Sequence, residues 1–88
     1  MSYEVRLARP VVKVLDGVDK PTEKRFRKRL KELGEDPYNT RTSRTLVNKG
    51  GLRSSRVGSW RILYTVNDNE AALYVLAIRP RGEAYRDL

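Results

Sequence analysis

The chain has 88 residues, and its 19 lysines and arginines outnumber its 11 aspartates and glutamates, which gives a formal net charge of +8 at pH 7. It contains neither cysteine nor histidine, so disulfides and thiolate nucleophiles are excluded, and no metal or other cofactor is expected. No apolar run is long enough to span a membrane, and none follows a basic start as in a signal peptide, so a single cytoplasmic domain over residues 1–88 is predicted.

The excess of positive charge predicts a polyanionic partner, with nucleic acid as the first candidate. Every lysine lies at or before Lys49, whereas all basic residues from Leu52 onward are arginine. Arginine suits planar, bidentate contact with phosphate, while lysines on a helix often only solvate a surface. Phosphate contact is therefore expected in the second half of the chain. The alternative is that the charge serves only solubility or stability in a hot habitat.

The first 17 residues predict a strand and a short helix. Tyr3, Val5 and Leu7 alternate with charged residues, which is the pattern of a half-buried strand. Pro10 suits a first helical turn and Gly17 ends the following apolar segment, so residues 10–17 predict a short helix.

A longer helix is predicted next, beginning near Asp19 or Thr22, either of which can cap it, and stopped by Gly34. One face of this helix is apolar and consists of Phe26, Leu30 and Leu33. The other face carries six lysines and arginines within residues 24–31. Such a run is most often a solvated surface and less often a nucleic-acid contact.

The second half predicts three antiparallel strands. Residues 35–45 lack periodicity and predict a surface loop. A strand over residues 52–57 turns at Gly58 and Ser59 into a strand over residues 60–66, which a loop joins to a strand over residues 73–78. A three-residue loop would place Arg61 diagonal to Arg79 on one face of the sheet, and a two-residue loop would reverse that relation.

These elements predict an α+β domain of order β-α-α-β-β-β. Its twisted, antiparallel-rich sheet is expected to carry both N-terminal helices on one face, because the hairpin strands look like central strands of a sheet. Trp60 and Tyr64 are aromatic enough to stack on bases, but on such a strand they are more often part of the core. The same hairpin brings the arginines of residues 53–61 near those of residues 79–86, and this patch is the candidate site.

The run LRSSRVGSWRILY, residues 52–64, resembles the pattern of the RelE/ParE toxins: a basic strand, a glycine turn, an aromatic residue, arginine, two aliphatic residues and tyrosine. The tail RPRGEAYR, residues 79–86, is similar to the end of the RelE branch, where a basic residue is followed by a tyrosine. With the matching order of elements, the resemblance covers nearly the whole chain. It implies a toxin of a toxin-antitoxin pair, whose RelE members cut messenger RNA in the ribosomal decoding site.

The resemblance implies catalytic roles for Arg61, Arg81 and Tyr85 in cleavage of RNA by its own 2′-hydroxyl. Arg61 and Arg81 would stabilise charge on the phosphate, and Arg81 could also donate a proton late in bond breaking. Tyr85 would be the general base or a platform on which a base stacks. Backbone phosphates are predicted to be held by Lys49, Arg53, Arg56 and Arg79.

Two departures from the family pattern leave the general base open. Ser54 stands where the family often has lysine or arginine, and the flanking Arg53 would need a bulge to reach the same face. Pro80 stands where many relatives have histidine, and Glu83 is a second candidate for the base.

The partners implied are an acidic, RelB-like antitoxin that folds on binding, the ribosome and messenger RNA, with no membrane. A heterotetramer with the antitoxin is one assembly that this allows. Two other functions stay open: a ParE-like inhibitor of DNA gyrase, which commonly lacks the basic-plus-tyrosine tail, and a non-catalytic RNA-binding domain.

Overall fold

The computed structural model describes residues 2–46 and 50–80. Within these residues there are two helices and five strands: β1 Glu4–Leu7, α1 Arg9–Gly17, α2 Lys20–Glu35, β2 Arg44–Thr45, β3 Arg53–Val57, β4 Trp60–Asn67 and β5 Ala72–Pro80. The strands form one sheet in the order β1-β5-β4-β3-β2. β1 runs parallel to β5, and the other neighbouring pairs are antiparallel. The predicted α+β architecture is confirmed.

Both helices pack on one face of the sheet and bury the main core. The predicted apolar face of α2 is part of it, and Phe26 and Leu33 are fully buried. Trp60 contacts the Phe26 ring edge-on at 5.6 Å between ring centroids, and Tyr64 is fully buried, so both aromatic residues belong to the core as predicted. Among the described residues, the other face of the sheet carries a small buried cluster of Leu52, Leu63 and Ala77, with Leu46 packed against it. Arginine side chains lie on that second face beside this cluster.

The sequence predicted that α2 ends at Gly34, but the helix continues through Glu35. A β-carbon at position 34 would lie 2.9 Å from Val5 Cγ2 and 3.3 Å from the Tyr3 carbonyl oxygen. Gly34 also accepts a hydrogen bond of 2.7 Å from the Tyr3 amide. The glycine is needed because β1 passes too close to the helix for a side chain. At the other end of α2, Asp19 occupies the cap position without a side-chain hydrogen bond.

Replacing Gly34 with alanine is expected to destabilise the fold by about 1 kcal/mol. Overpacking costs about 1–3 kcal/mol, and the gain of about 1 kcal/mol in helix propensity offsets only part of it. Val5 is β-branched and cannot easily rotate away. Gly17→Ala is the matched control, because no atom lies within 4 Å of its added carbon. Urea unfolding of both variants checks the difference, and equal midpoints would contradict the packing role of Gly34.

The sequence predicted a surface loop over residues 35–45, but Arg44 and Thr45 at the end of this segment form β2. They pair with Ser54 and Arg53 at the edge of the sheet. A strand of two residues shows no alternation of polar and apolar positions, so the pairing depends on the neighbouring strand.

In the part of the chain that the structure describes, no helix is both long enough and apolar enough to cross a membrane.

Candidate nucleic-acid interface

Three arginines stand side by side on the face of the sheet opposite the helices. Arg56 on β3 lies directly opposite Arg61 on β4, and Arg61 lies directly opposite Arg79 on β5. Side chains directly opposite each other in a sheet share a face, with Cβ atoms about 4.5–5.5 Å apart. We call these three residues the arginine row. Like charges at this spacing repel, so a bound anion would stabilise the row.

A β-bulge on β5 completes the row. Near the loop, Asn67 pairs with Ala72 and Tyr64 with Val75, so residues 68–71 form a four-residue loop. Continued without a break, this register would set Arg61 against Ile78. The register shifts between Leu63 and Tyr64, which leaves Leu76 as an extra residue and sets Arg61 against Arg79. The loop therefore has neither of the two lengths considered from the sequence, and Arg61 lies directly opposite Arg79 on one face rather than diagonal to it.

A cleft of about 220 Å³ lies beside the row, between β3, β4 and the loop that leads to β2. Its arginine lining consists of Arg29, Arg41, Arg44, Arg56 and Arg61. The remaining described lining residues are serines and threonines, and none is acidic. The cleft and the row together form a strongly electropositive surface, which is suited to a polyanion such as nucleic acid.

Arg29 fastens α2 to the strand that carries the row. Its Nη1 donates hydrogen bonds to the Arg56 carbonyl oxygen at 2.7 Å and to Ser55 Oγ at 2.8 Å, and its Nε donates to Glu32. The sequence pattern assigns Arg29 to the solvated face of the helix and does not reveal this role. No local signal distinguishes it from its basic neighbours, because its acceptors on β3 lie 26 and 27 residues away in the chain.

Arg53 does not join the row, contrary to the prediction that it contacts phosphate. The pairing of β3 with β4 contains no bulge, so Arg53 lies opposite Tyr64 and faces the helix side of the sheet. It is only 9% exposed. Its guanidinium donates hydrogen bonds to the hydroxyls of Tyr64, Thr45 and Ser43 at 2.9–3.2 Å and lies over the Tyr38 ring. Arg53 therefore stabilises the fold rather than the interface.

The sequence model of the ParE toxin of type II toxin-antitoxin systems matches residues 5–85. This chain belongs to the RelE/ParE toxin family. The toxin superposes with a TM-score of 0.80 on the RelE of an archaeal RelE-RelB complex from Pyrococcus horikoshii, with 30% sequence identity over 96% of this chain and 100% of that one. Comparison with curated protein sequences found no match.

Two bacterial structures share the fold at lower sequence identity. The RelBE2 toxin-antitoxin complex from Mycobacterium tuberculosis has a TM-score of 0.78 and 22% identity, covering 92% of this chain and 100% of that chain. The intact RelBE complex from Escherichia coli also has a TM-score of 0.78, with 17% identity over 90% of this chain and 96% of that chain. This toxin thus has the fold of the RelE-like branch of the family.

Several predicted site residues of the toxin fall in segments that the structure does not describe. Arg81 and Tyr85, predicted to be catalytic, and Lys49, predicted to hold phosphate, lie outside the described residues, as does Glu83. Pro80, which is described, ends β5. Over residues 2–46 and 50–80, no group of acidic side chains is placed to hold a metal ion.

Tyr3, Tyr38 and Asp68 form a hydrogen-bonded cluster that lies away from the arginine row. Both tyrosine hydroxyls donate to the Asp68 carboxylate, at 2.5 Å from Tyr3 and 2.7 Å from Tyr38. These two bonds lower the pKa of Asp68, and the bond to Asp68 raises the pKa of Tyr38 to about 12. The cluster joins the start of the chain, the loop after α2 and the loop between β4 and β5.

We expect Tyr38→Phe to destabilise the toxin near neutral pH and to have less effect at both extremes. The contribution of Asp68, whose pKa is lowered on folding, is present above the ordinary value of 3.8 and is lost as the pH falls below it. The contribution of Tyr38, whose pKa is raised, is present below 10.0 and is lost as the pH rises from there through about 12. Urea unfolding of the wild type and the variant across this range measures the difference. The acid limb should disappear in an Asp68→Asn background, and a difference independent of pH would contradict the cluster.

Proposed function

We propose that this toxin is a ribosome-dependent endoribonuclease that cuts messenger RNA in the decoding site. The observation that carries the proposal is the arginine row, which sets three permanently charged side chains side by side on one face of the sheet. RNA offers a phosphate backbone that such a row can clamp. The likeness to RelE structures supports the same conclusion.

In the proposed reaction, the 2′-hydroxyl of the RNA loses its proton and attacks the adjacent phosphate without a metal ion. A 2′,3′-cyclic phosphate forms as the bond to the 5′-oxygen of the next nucleotide breaks, and that oxygen takes up a proton. Negative charge builds on the phosphate oxygens, and the Arg61 guanidinium at the centre of the row stabilises it. Arg81, two residues after Arg79 in the chain, would supply a second guanidinium. Tyr85 would act as the base or as a stacking platform, and the resemblance to the RelE branch supports these two assignments.

The ribosome would supply what these side chains lack. Arginine and tyrosine are weak acids, with ordinary pKa values above about 12 and near 10, so proton transfer through them is slow unless the substrate is well aligned. Holding messenger RNA in the decoding site fixes the geometry of the attacking hydroxyl and the phosphate. Free RNA should therefore be bound by the toxin but cut poorly. Such activity would place the toxin in the cytoplasm.

Binding of free RNA should weaken steeply with salt. If each member of the row neutralises one phosphate of a single strand, affinity falls about 20-fold between about 50 and 200 mM salt. Removing one contact with Arg56→Gln should make the slope of log affinity against log salt shallower by about 0.7. Lys13→Gln on α1 is the charge-matched control and should leave the slope nearly unchanged. Fluorescence anisotropy with a short labelled RNA measures both, and equal slopes for the two variants would argue against the row as the contact.

We also propose an acidic antitoxin as the partner of this toxin. Two of the structures that share its fold are complexes of RelE with RelB. An antitoxin segment rich in aspartate and glutamate would complement the basic row and cleft and could order on binding. A toxin-antitoxin heterotetramer is the assembly we propose, and light scattering of the co-expressed pair would measure its mass.

Cleavage in a reconstituted translation reaction tests the proposed activity. The wild type, Arg81→Ala and Tyr85→Phe are compared with and without ribosomes, with Lys13→Ala as the folded control. Cuts that require ribosomes and are lost in the first two variants, but not in the control, would establish the function. Cuts by the wild type without ribosomes would refute ribosome dependence.

Inhibition of DNA gyrase is the second candidate, because the family whose sequence model matches is named for ParE toxins. A supercoiling assay separates the two functions. Loss of supercoiling with no cleavage of messenger RNA would favour the gyrase function. If neither assay responds but RNA binding survives Tyr85→Phe, the row serves only to bind RNA.

A further inference from the structure

The end of β3 that carries Arg56 lies beyond the reach of β2. Among the described residues, β2 pairs with β3 only at Arg53 and Ser54, so the outer edge of β3 at Ser55 and Arg56 has no strand partner there. On its inner edge, Arg56 stands opposite Arg61, and like charges at that spacing repel. A strand end with one unpaired edge and a repelling pair frays unless another element holds it.

The Arg29 side chain takes the place of the missing strand. Its Nη1 donates hydrogen bonds to the Arg56 carbonyl oxygen at 2.7 Å and to Ser55 Oγ at 2.8 Å. Ser55 Oγ in turn donates to the Thr42 carbonyl oxygen at 2.6 Å, and Arg29 Nη1 lies 3.4 Å from that same oxygen. One guanidinium thus joins α2, β3 and the loop before β2. Hydrogen bonds from a charged donor are stronger than those between neutral groups, and Ser55 is fully buried.

Glu32 fixes the direction of the Arg29 guanidinium. Arg29 Nε donates to Glu32 Oε1 at 3.1 Å, one turn further along the same helix. A planar guanidinium whose Nε and Nη1 are both engaged has one orientation, which a flexible ammonium group would not have. The side chain of Arg29 is only 25% exposed. It is therefore held within the protein, unlike the exposed basic residues beside it on α2.

We propose that Arg29 is a positioning residue for the arginine row. By holding the β3 backbone at the Arg56 carbonyl, it keeps the Arg56 side chain in line with Arg61, so that both guanidiniums reach one RNA backbone together. RNA as the ligand rests on the proposed function, whereas the hydrogen bonds that hold Arg56 lie within the toxin. Precise placement matters because a shift of about 1 Å in a group that binds the reacting phosphate can lower a rate about 100-fold.

Two other roles for Arg29 predict different behaviour. Arg29 also lines the cleft, so it could contact phosphate itself. It could also stabilise the fold without any effect on the row. A phosphate contact or a general loss of stability would add to the effect of replacing Arg56, because neither acts through the Arg56 side chain. A positioning residue has no further effect once the side chain that it positions is gone.

A double-mutant cycle on RNA binding tests the positioning role. Fluorescence anisotropy with a short labelled RNA compares the wild type, Arg29→Gln, Arg56→Gln and the double variant at about 0.1 M salt, where distant charges are screened. Each single variant should weaken binding about twofold to fivefold, as expected for one exposed charge contact, and the double variant should bind no more weakly than Arg56→Gln. Arg29→Lys keeps the charge but loses the planar fork, so it should restore only part of the affinity. Lys24→Gln removes the same charge from an exposed position of α2 and should leave binding nearly unchanged.

Additive losses in the double variant, full rescue by Arg29→Lys, or wild-type binding by Arg29→Gln would overturn the positioning role. The amide NMR spectrum shows whether each variant is folded. If Arg29→Gln is not, Ser55→Ala replaces it in the cycle, because it removes one acceptor of Arg29 and the bond to Thr42.

Single-turnover cleavage on programmed ribosomes gives a second measurement. Arg29→Gln should lower the maximal rate about threefold to tenfold, no more than Arg56→Ala does, and leave the ribosome concentration for half-maximal rate unchanged. A change in that concentration alone would indicate a direct contact and contradict the positioning role. If the wild type cuts no messenger RNA, the proposed function fails while the binding cycle still decides the role of Arg29. Cleavage by the wild type together with additive binding losses would refute the positioning role alone.

Discussion

Replacement of Arg61 by alanine should lower ribosome-dependent cleavage of messenger RNA about 100-fold to 1000-fold, the range seen when one preorganised donor to a transition state is removed. Arg61 lies between Arg56 and Arg79 and is the only member of the row with a described arginine on both sides. Its loss removes the guanidinium at the centre of the developing charge. Single-turnover cleavage rates on ribosomes programmed with one messenger RNA measure the effect.

Two further variants show whether the effect arises from charge or from geometry. Arg61→Lys keeps the charge but loses the planar fork, so an intermediate rate is expected. Arg56→Ala removes an exposed member at the end of the row and should reduce the rate less, by about 10-fold. If Arg61→Ala is folded and cuts at the wild-type rate, the row is not the catalytic surface.

Phe26→Ala should reduce the free energy of unfolding by about 3–5 kcal/mol. A domain of this size is stable by only about 4–13 kcal/mol, so the variant would lose a large share of its stability. Phe26 is fully buried, and its ring meets the Trp60 ring at a perpendicular angle and 5.6 Å between centroids. The alanine leaves a cavity between α2 and β4 that a helix pinned to the sheet by Arg29 cannot easily close.

Val12→Ala on α1 is the control for this loss, since Val12 is also a helical apolar residue but is 42% exposed. Its effect should stay within about 0.5 kcal/mol. Urea unfolding monitored by tryptophan fluorescence measures both variants. A loss below about 1 kcal/mol for Phe26→Ala would show that the Phe26 site collapses readily and that the core depends less on this ring than its burial indicates.

The sequence by itself determined the elements of this toxin whose signals are local. The spacing of Phe26, Leu30 and Leu33 predicted the buried face of α2, and the alternation along β4 predicted which aromatic residues enter the core. The pairing of Arg56 with Arg61 also follows locally, because a two-residue turn at Gly58 and Ser59 leaves only one register for the strands on either side.

Only the tertiary structure decided how these elements meet. The bulge at Leu76 sets Arg79 opposite Arg61, and no property of Leu76 in the sequence marks it. The close approach of β1 requires a glycine at position 34. Hydrogen-bond partners on other elements of the fold determine that the side chains of Arg53 and Arg29 stabilise the fold. Arg44 reaches the cleft through a strand of two residues. Periodicity reports which face of an element is buried, but register and neighbours depend on contacts between distant residues, and those contacts position the row and the cleft.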